Sequence, residues 1–151
     1  MTCQPKCSIV GVSACLVGVS CRYDGTSKAA EGLLASLGEG VCVVPLCPEQ
    51  LGGLATPRPP AAFVGGGGSE VLADTATVVN AEGEDVTEAC LKGARETLRI
   101  CRMLGIRRFY LKDKSPSCGV TLVTVNGALT SGSGVAAAML GLAGIELVSV
   151  P

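Results

Sequence analysis

The chain has 151 residues, enough for one domain with a sizeable core, and its balance of 48% hydrophobic against 17% charged residues excludes a disordered chain. A net charge of −1 gives no broad electrostatic reason to bind nucleic-acid backbones or anionic membranes. Aromatic residues make up only 3% and histidine is absent, so the core must be aliphatic and imidazole chemistry is excluded.

In chain order, "CSIVGVSA" reads as a short apolar strand and "SKAAEGLLASLGE" as a helix with Leu33, Leu34 and Leu37 on one side. "VCVVP" is the second strand. The segment "CPEQLGGLATPRPPAAFVGGGGS" after it is too long for a simple connector, and such loops within a domain are usually functional. Its run Gly65–Gly68 lacks the Lys-Ser/Thr pair of a phosphate-cradling loop and reads as a flexible connector. "VLADTATVVNAEGEDVT" suggests extended segments around a turn at Glu82–Gly83. "EACLKGARETLRICRMLG" is a helix that Asp85 or Thr87 can cap and Gly105 stops. "RRFYLK" is a strand that concentrates positive charge, with Lys114, at Arg107, Arg108 and Lys112. "VTLVTVNGAL" is a hairpin with Asn126–Gly127 at its tip. "GVAAAMLGLAG" is a small-residue helix and "IELVSV" the closing strand. Strand–helix–strand recurrence predicts an α/β fold: a single-domain Rossmann-like sandwich over residues 1–151, with a mainly parallel sheet and an added hairpin. The N-terminus lacks a signal-peptide pattern and no apolar run approaches the ~20 residues of a membrane span, so a cytoplasmic location with reduced thiols is expected.

Nine cysteines in a reduced compartment call for metal, catalysis or packing. Cys42 within a strand, and Cys90 and Cys101 on one helix face, read as core residues. Cys3 and Cys7 form a C-x-x-x-C at a terminus ill suited to building a metal site. The other four differ. Cys15 and Cys21 follow the first strand, Cys47 the second, and Cys118 the strand "RRFYLK". In a parallel α/β sheet the C-terminal strand ends line one edge, where ligands bind, so these thiols converge. "CLVGVSC" is too widely spaced for a zinc knuckle, and a C-x-x-C redox couple is absent. A thiol-lined core remains open as an alternative. An iron–sulfur cluster held from separate loops fits best, and with three ligands it leaves one iron open as a Lewis acid.

The blocks "SACLVGVSCRYDGTSK", "VPLCPEQLGGLATPR", "GEDVTEACLKGA", "LKDKSPSCG" and "SGSGVAAAMLGLAGIEL" resemble, in that order, the signature of the thiouracil desulfidase (TudS) family, from about Ser13 to Val148. The resemblance implies a small cytoplasmic α/β enzyme that removes sulfur from 2-thiouracil, without net redox change, on a 4Fe–4S cluster. It also implies Cys15, Cys47 and Cys118 as the ligands. Cys21 matches its block but is read as a neighbour, since a fourth thiolate would close the iron.

In the mechanism this suggests, the open iron takes the thiocarbonyl sulfur and Glu49, beside Cys47, helps water attack the carbon. Ser115 is the second catalytic candidate, and Ser117, Lys112 and Arg58 are substrate-binding candidates. Each has a plainer alternative: turn-satisfying serines, a solvated lysine, a water-facing arginine. Ala55, where the family commonly has proline, and the long glycine run depart from the pattern. The expected partner is a small thiolated pyrimidine, with a sulfide acceptor beyond it. A variant acts on tRNA thiouridine, although charge and size favour the small molecule. Rival readings are a four-cysteine iron–sulfur electron carrier or redox sensor and a zinc-binding module without catalysis.

Overall fold

The computed structural model describes residues 7–151. The Cys3 half of the terminal C-x-x-x-C lies outside the described residues. Eight strands and five helices follow one another: β1 (Ser8–Ser13), a 3-10 turn (Ala14–Val17), α1 (Leu33–Leu37), β2 (Val41–Leu46), α2 (Pro48–Leu51), β3 (Ala61–Val64), α3 (Gly68–Leu72), β4 (Thr77–Asn80), α4 (Thr87–Leu104), β5 (Arg108–Lys112), β6 (Leu122–Val125), β7 (Ala128–Ser131), α5 (Val135–Leu142) and β8 (Glu146–Val150).

They form two four-stranded sheets. The first, in the order β2-β1-β5-β8, is parallel throughout. The second, β4-β3-β6-β7, is mixed. The hairpin expected at Asn126–Gly127 is its β6–β7 pair, and both tip residues take positive φ, as a two-residue turn requires. What sequence reading took as a long irregular segment supplies β3, so the hairpin extends into a full second sheet.

Helix α4 joins the two sheets. Its buried stripe of Cys90, Gly93, Ala94, Thr97 and Cys101 recurs every three or four residues, the period of one helix face. Cys90 and Ala94 pack with Phe63, Val78 and Val123 of the second sheet. Cys101 packs with Phe109, Leu111 and Leu140 against the first. Each fully buried Phe or Leu contributes about 1.5–3 kcal/mol. At its start, Asp85 Oδ1 accepts the Thr87 N–H (2.9 Å), while the Thr87 hydroxyl accepts the Val78 N–H (2.8 Å) and ties the helix to β4.

Three expectations are corrected. The first helix shrinks to Leu33–Leu37, because Gly32 and Gly38 bound it in conformations at positive φ; Leu33 and Leu37 pack inward while Leu34 is exposed. The glycine run is no flexible connector: the Gly68 N–H donates to the Ser133 carbonyl (2.7 Å), and a Cβ at Gly68 would overlap the Gly134 carbonyl, so α3 sits directly on the start of α5. Cys42 is exposed and bonded to Cys7 in a disulfide, not packed in the core. Strand alternation puts Cys42 on the face of Val44 and Leu46, but at the opening end of an edge strand, where no described residue buries it.

Candidate metal centre and active site

The chemistry-bearing side chains collect at the C-terminal ends of the parallel strands. β1 ends at Ser13 and enters the 3-10 turn that holds Cys15. β2 passes directly to Cys47, which caps α2, and β5 runs into the loop that carries Ser115 and Cys118. These residues, with Cys21, Glu49, Arg58 and Lys112, line one cavity of about 590 Å³. Cys15, Cys21 and Cys118 are buried and Cys47 is partly so.

Their environment resists ionisation. Burial pushes the Cys15 thiol up, and neighbouring Cys47 reinforces the effect against Arg22 and Lys112. Burial likewise pushes Cys21 up to about 12, with Cys47 and Cys15 adding to it. Cys118 is raised well above the ordinary thiol range, again chiefly by burial. Thiols that are costly to ionise alone, gathered on one wall, are what a cationic metal group ionises as it binds. Among the described residues no three Cys, Asp or Glu side chains are close enough to hold a single ion. An iron–sulfur core is wider and is gripped by thiolates set farther apart, so the donor set fits such a core.

Glu49 lies in the first turn of α2, with Pro48 at the position where a missing N–H costs nothing. That short helix is seated on α4 by two glycines. A Cβ at Gly52 would overlap the Ala89 carbonyl, and one at Gly93 would overlap the carbonyl of Pro48. Glu49 is ion-paired with Arg58, and their side chains are 16% and 7% exposed. Arg58, expected at the substrate, also donates to the carbonyls of Cys21 (3.0 Å) and Ala55 (3.1 Å) and to the Thr56 hydroxyl (3.1 Å).

The Cys118 loop is ordered by its own serines and by α5. Ser115 Oγ accepts the N–H groups of Ser117 (3.2 Å) and Cys118 (3.1 Å) while facing the cavity. The α5 N–H groups of Val135 and Ala137 donate to the carbonyls of Pro116 (2.9 Å) and Ser117 (3.1 Å), which satisfies orphan donors of the first helical turn. Ser117, also expected at the substrate, is fully buried, has no nitrogen or oxygen partner for its hydroxyl among the described residues, and is absent from the cavity lining. Lys112 lines the cavity and donates to the Asp113 carbonyl (3.2 Å). Burial lowers its pKa, and Arg22, Lys28 and Lys114 act in the same direction. Those four cations share the cavity, whereas Arg107 and Arg108 lie at the other end of β5 beside Glu146, so the basic patch read from the sequence is split along the strand.

Two residues escaped sequence reading. Ser13 is buried and its hydroxyl accepts the Lys112 N–H (3.0 Å), locking β1 to β5 beside Cys118. Asp113 accepts the N–H groups of Val120 (2.9 Å), Thr121 (3.1 Å) and Leu122 (3.2 Å) as well as the Thr121 hydroxyl. Burial alone would push its carboxyl up, but those bonds, the Thr121 hydroxyl first, outweigh it and hold the carboxyl well below the usual range. The signal was an Asp at the mouth of a strand, in "LKDKSPSCG", where Asp commonly closes a loop on backbone N–H groups.

Fold and cavity define an α/β protein with a thiol-walled cleft at the C-terminal edge of a parallel sheet and a paired carboxylate beside it. The family model described as 2-thiouracil desulfurase matches residues 10–150. The chain belongs to that family and is a desulfidase. It is 44% identical over 141 residues to the uncharacterized protein YbbK of Bacillus subtilis (strain 168), a match covering 91% of this chain and 93% of the relative. A solved 4Fe–4S-dependent thiouracil desulfidase, TudS, superposes with a TM-score of 0.79 at 38% identity, covering 94% of this chain and 90% of that one.

Proposed function

We propose that the protein removes sulfur from 2-thiouracil or a related thiolated base or nucleoside, releasing sulfide and leaving the oxo form, on a 4Fe–4S cluster held by Cys15, Cys47 and Cys118. The observation that carries this reading is the convergence of those thiols, from three adjoining strand ends, on the cavity that Glu49 and Ser115 also line. Held by Cys15, Cys47 and Cys118 alone, a cluster would supply a Lewis-acidic iron suited to a soft thiocarbonyl sulfur and would polarise the C=S carbon. The chain's own residues do the rest. Glu49 accepts a proton from the attacking water, and the Ser115 hydroxyl, whose oxygen already holds the turn, keeps its proton available to donate to the ring. Lys112 orients the substrate, and together with Arg22, Lys28 and Lys114 it offsets the negative charge that three thiolates bring. The reading assigns the enzyme to the cytoplasm, with a small-molecule substrate and an acceptor for the sulfide.

Anaerobic purification tests the cofactor, and sulfide release from 2-thiouracil tests the reaction. A colourless protein without iron, or a loaded protein that releases no sulfide, overturns the reading. A second reading rests on Cys21, whose buried thiol is close enough to interact with those of Cys47 and Cys15. Four-thiolate ligation would make the protein an electron carrier or redox sensor. Cys21→Ala separates the two, since the desulfidase keeps its cluster and activity and the carrier loses its cluster.

A further inference from the structure

Arg58 lies at the junction of three loops. Its backbone N–H donates to the Tyr23 carbonyl (2.8 Å), and one guanidinium nitrogen, Nη2, donates both to the Cys21 carbonyl (3.0 Å) and to Glu49 Oε2. The other, Nη1, donates to the Ala55 carbonyl and to Thr56 Oγ1, both at 3.1 Å, and Thr56 Oγ1 is held in turn by Gln50 Nε2 (2.8 Å). Four of the five N–H donors of a guanidinium are thus committed within the protein, on a side chain only 7% exposed. A fork in that state has only its Nε–H left to offer a substrate, too little for a two-point clamp. It does have the geometry that fixes a carboxylate. Glu49 gives one oxygen to the pair, and Oε1 accepts no hydrogen bond from the described residues in a side chain that lines the cavity.

We infer that Arg58 is a positioning residue, which holds Glu49 in a single orientation with one carboxylate oxygen on the guanidinium and the other turned to the reacting water. The inference rests on the desulfidase reading and deepens it, because it takes Arg58 from the substrate and assigns it to the base. Lysine could supply the charge but not the fork, so the arginine itself is the requirement. A misplacement of about 1 Å in a reacting group costs on the order of 100-fold in rate, which sets the scale expected for its loss.

The test uses the cluster-loaded protein and 2-thiouracil, with Arg58→Gln, Glu49→Gln and the double variant. Arg58→Gln is expected to lower kcat by about 10- to 100-fold with KM within about threefold of wild type. Iron content and the electron paramagnetic resonance signal of the reduced cluster stay unchanged. The double variant is expected to be no slower than Glu49→Gln alone, because Arg58 acts only through that carboxylate. In the metal-free protein each single change lowers Tm, and the double change lowers it by less than the sum, a readout independent of turnover. A raised KM at unchanged kcat, additive losses in the double variant, or additive Tm shifts overturn the inference while leaving the desulfidase reading intact. Absence of sulfide release from the loaded wild type overturns both.

Discussion

Glu49 owes its place to its two predecessors in the chain. Cys47 caps α2 in an extended conformation and Pro48 opens the helix, so the carboxylate follows the thiol by less than one turn. Glutamine at position 49 keeps shape and volume but removes the proton acceptor. Glu49→Gln should therefore lower kcat by about 100-fold or more in a sulfide-release assay, with the iron content of the protein unchanged. A rate equal to wild type would remove Glu49 from the reaction. The thiols separate by a different readout. Cys15→Ser, Cys47→Ser and Cys118→Ser should each yield protein with little iron and sulfide by analysis, whereas Cys21→Ala retains them. Full cluster content in any of the three serine variants would strike that residue from the ligand set.

Between residue and fold, the site depends on how closely α2 and α4 approach. Gly93 faces the Pro48 carbonyl with no room for a methyl group, and Pro48 separates Cys47 from Glu49. Gly93→Ala must push α2 away from α4, at a cost of about 1–3 kcal/mol for overpacking. The displacement should also lower cluster content and activity in variants that still fold, which distinguishes it from Gly141→Ala on α5, where an added Cβ meets only ordinary contact. The Cys118 loop depends in the same way on Asp113. Its folded pKa is depressed, so its contribution is present above the ordinary aspartate value near 4 and is lost as pH falls below that. Urea midpoints measured from pH 6 to pH 3 should fall less steeply for Asp113→Asn than for wild type. The parallel sheet, helix α4, the β6–β7 hairpin and the cysteines at strand ends were legible, because each rests on local periodicity or turn chemistry that a single segment carries. The second sheet, the Gly52–Gly93 approach and the partners of Arg58 were not. They depend on segments that meet only after folding, and nothing in "ATPRPP" or "GGGG" states what will lie opposite. Ser117 illustrates the same limit: the spacing in "SPSCG" could not tell which serine a turn would face inward.

At the scale of the whole molecule, two features of the remaining cysteines govern stability apart from chemistry. The Cys7–Cys42 disulfide closes a loop with a sequence separation of 35, between the starts of the two strands that deliver Cys15 and Cys47. In the chain-entropy account a loop of that size is worth about 3–4 kcal/mol. Cys42→Ser should lower the urea midpoint of oxidised protein and leave that of fully reduced protein nearly unchanged. The second feature is alkaline. Burial pushes the thiol of Cys90 up to about 12, with the Glu49 carboxylate adding to it, and burial alone pushes Cys101 up to about 11. In the unfolded chain both thiols ionise near the ordinary value of about 8.5. Above that pH the folded state holds protons that the unfolded state has released, so stability falls as pH rises, until each thiol ionises in place near 11 or 12. Each such thiol contributes about 1.4 kcal/mol of loss per pH unit within its window. Lysines and tyrosines titrate in the same range, so the informative quantity is a difference between proteins. Between pH 8.5 and 10.5, metal-free Cys101→Ala should lose stability less steeply than metal-free wild type. The gap between the two curves should therefore change by about 1.4 kcal/mol per pH unit in the variant's favour across that range, whatever the variant loses near neutrality through its smaller side chain. Parallel curves would mean that the Cys101 thiol ionises as readily inside the fold as outside it, and that the interface between α4 and the parallel sheet is open to water.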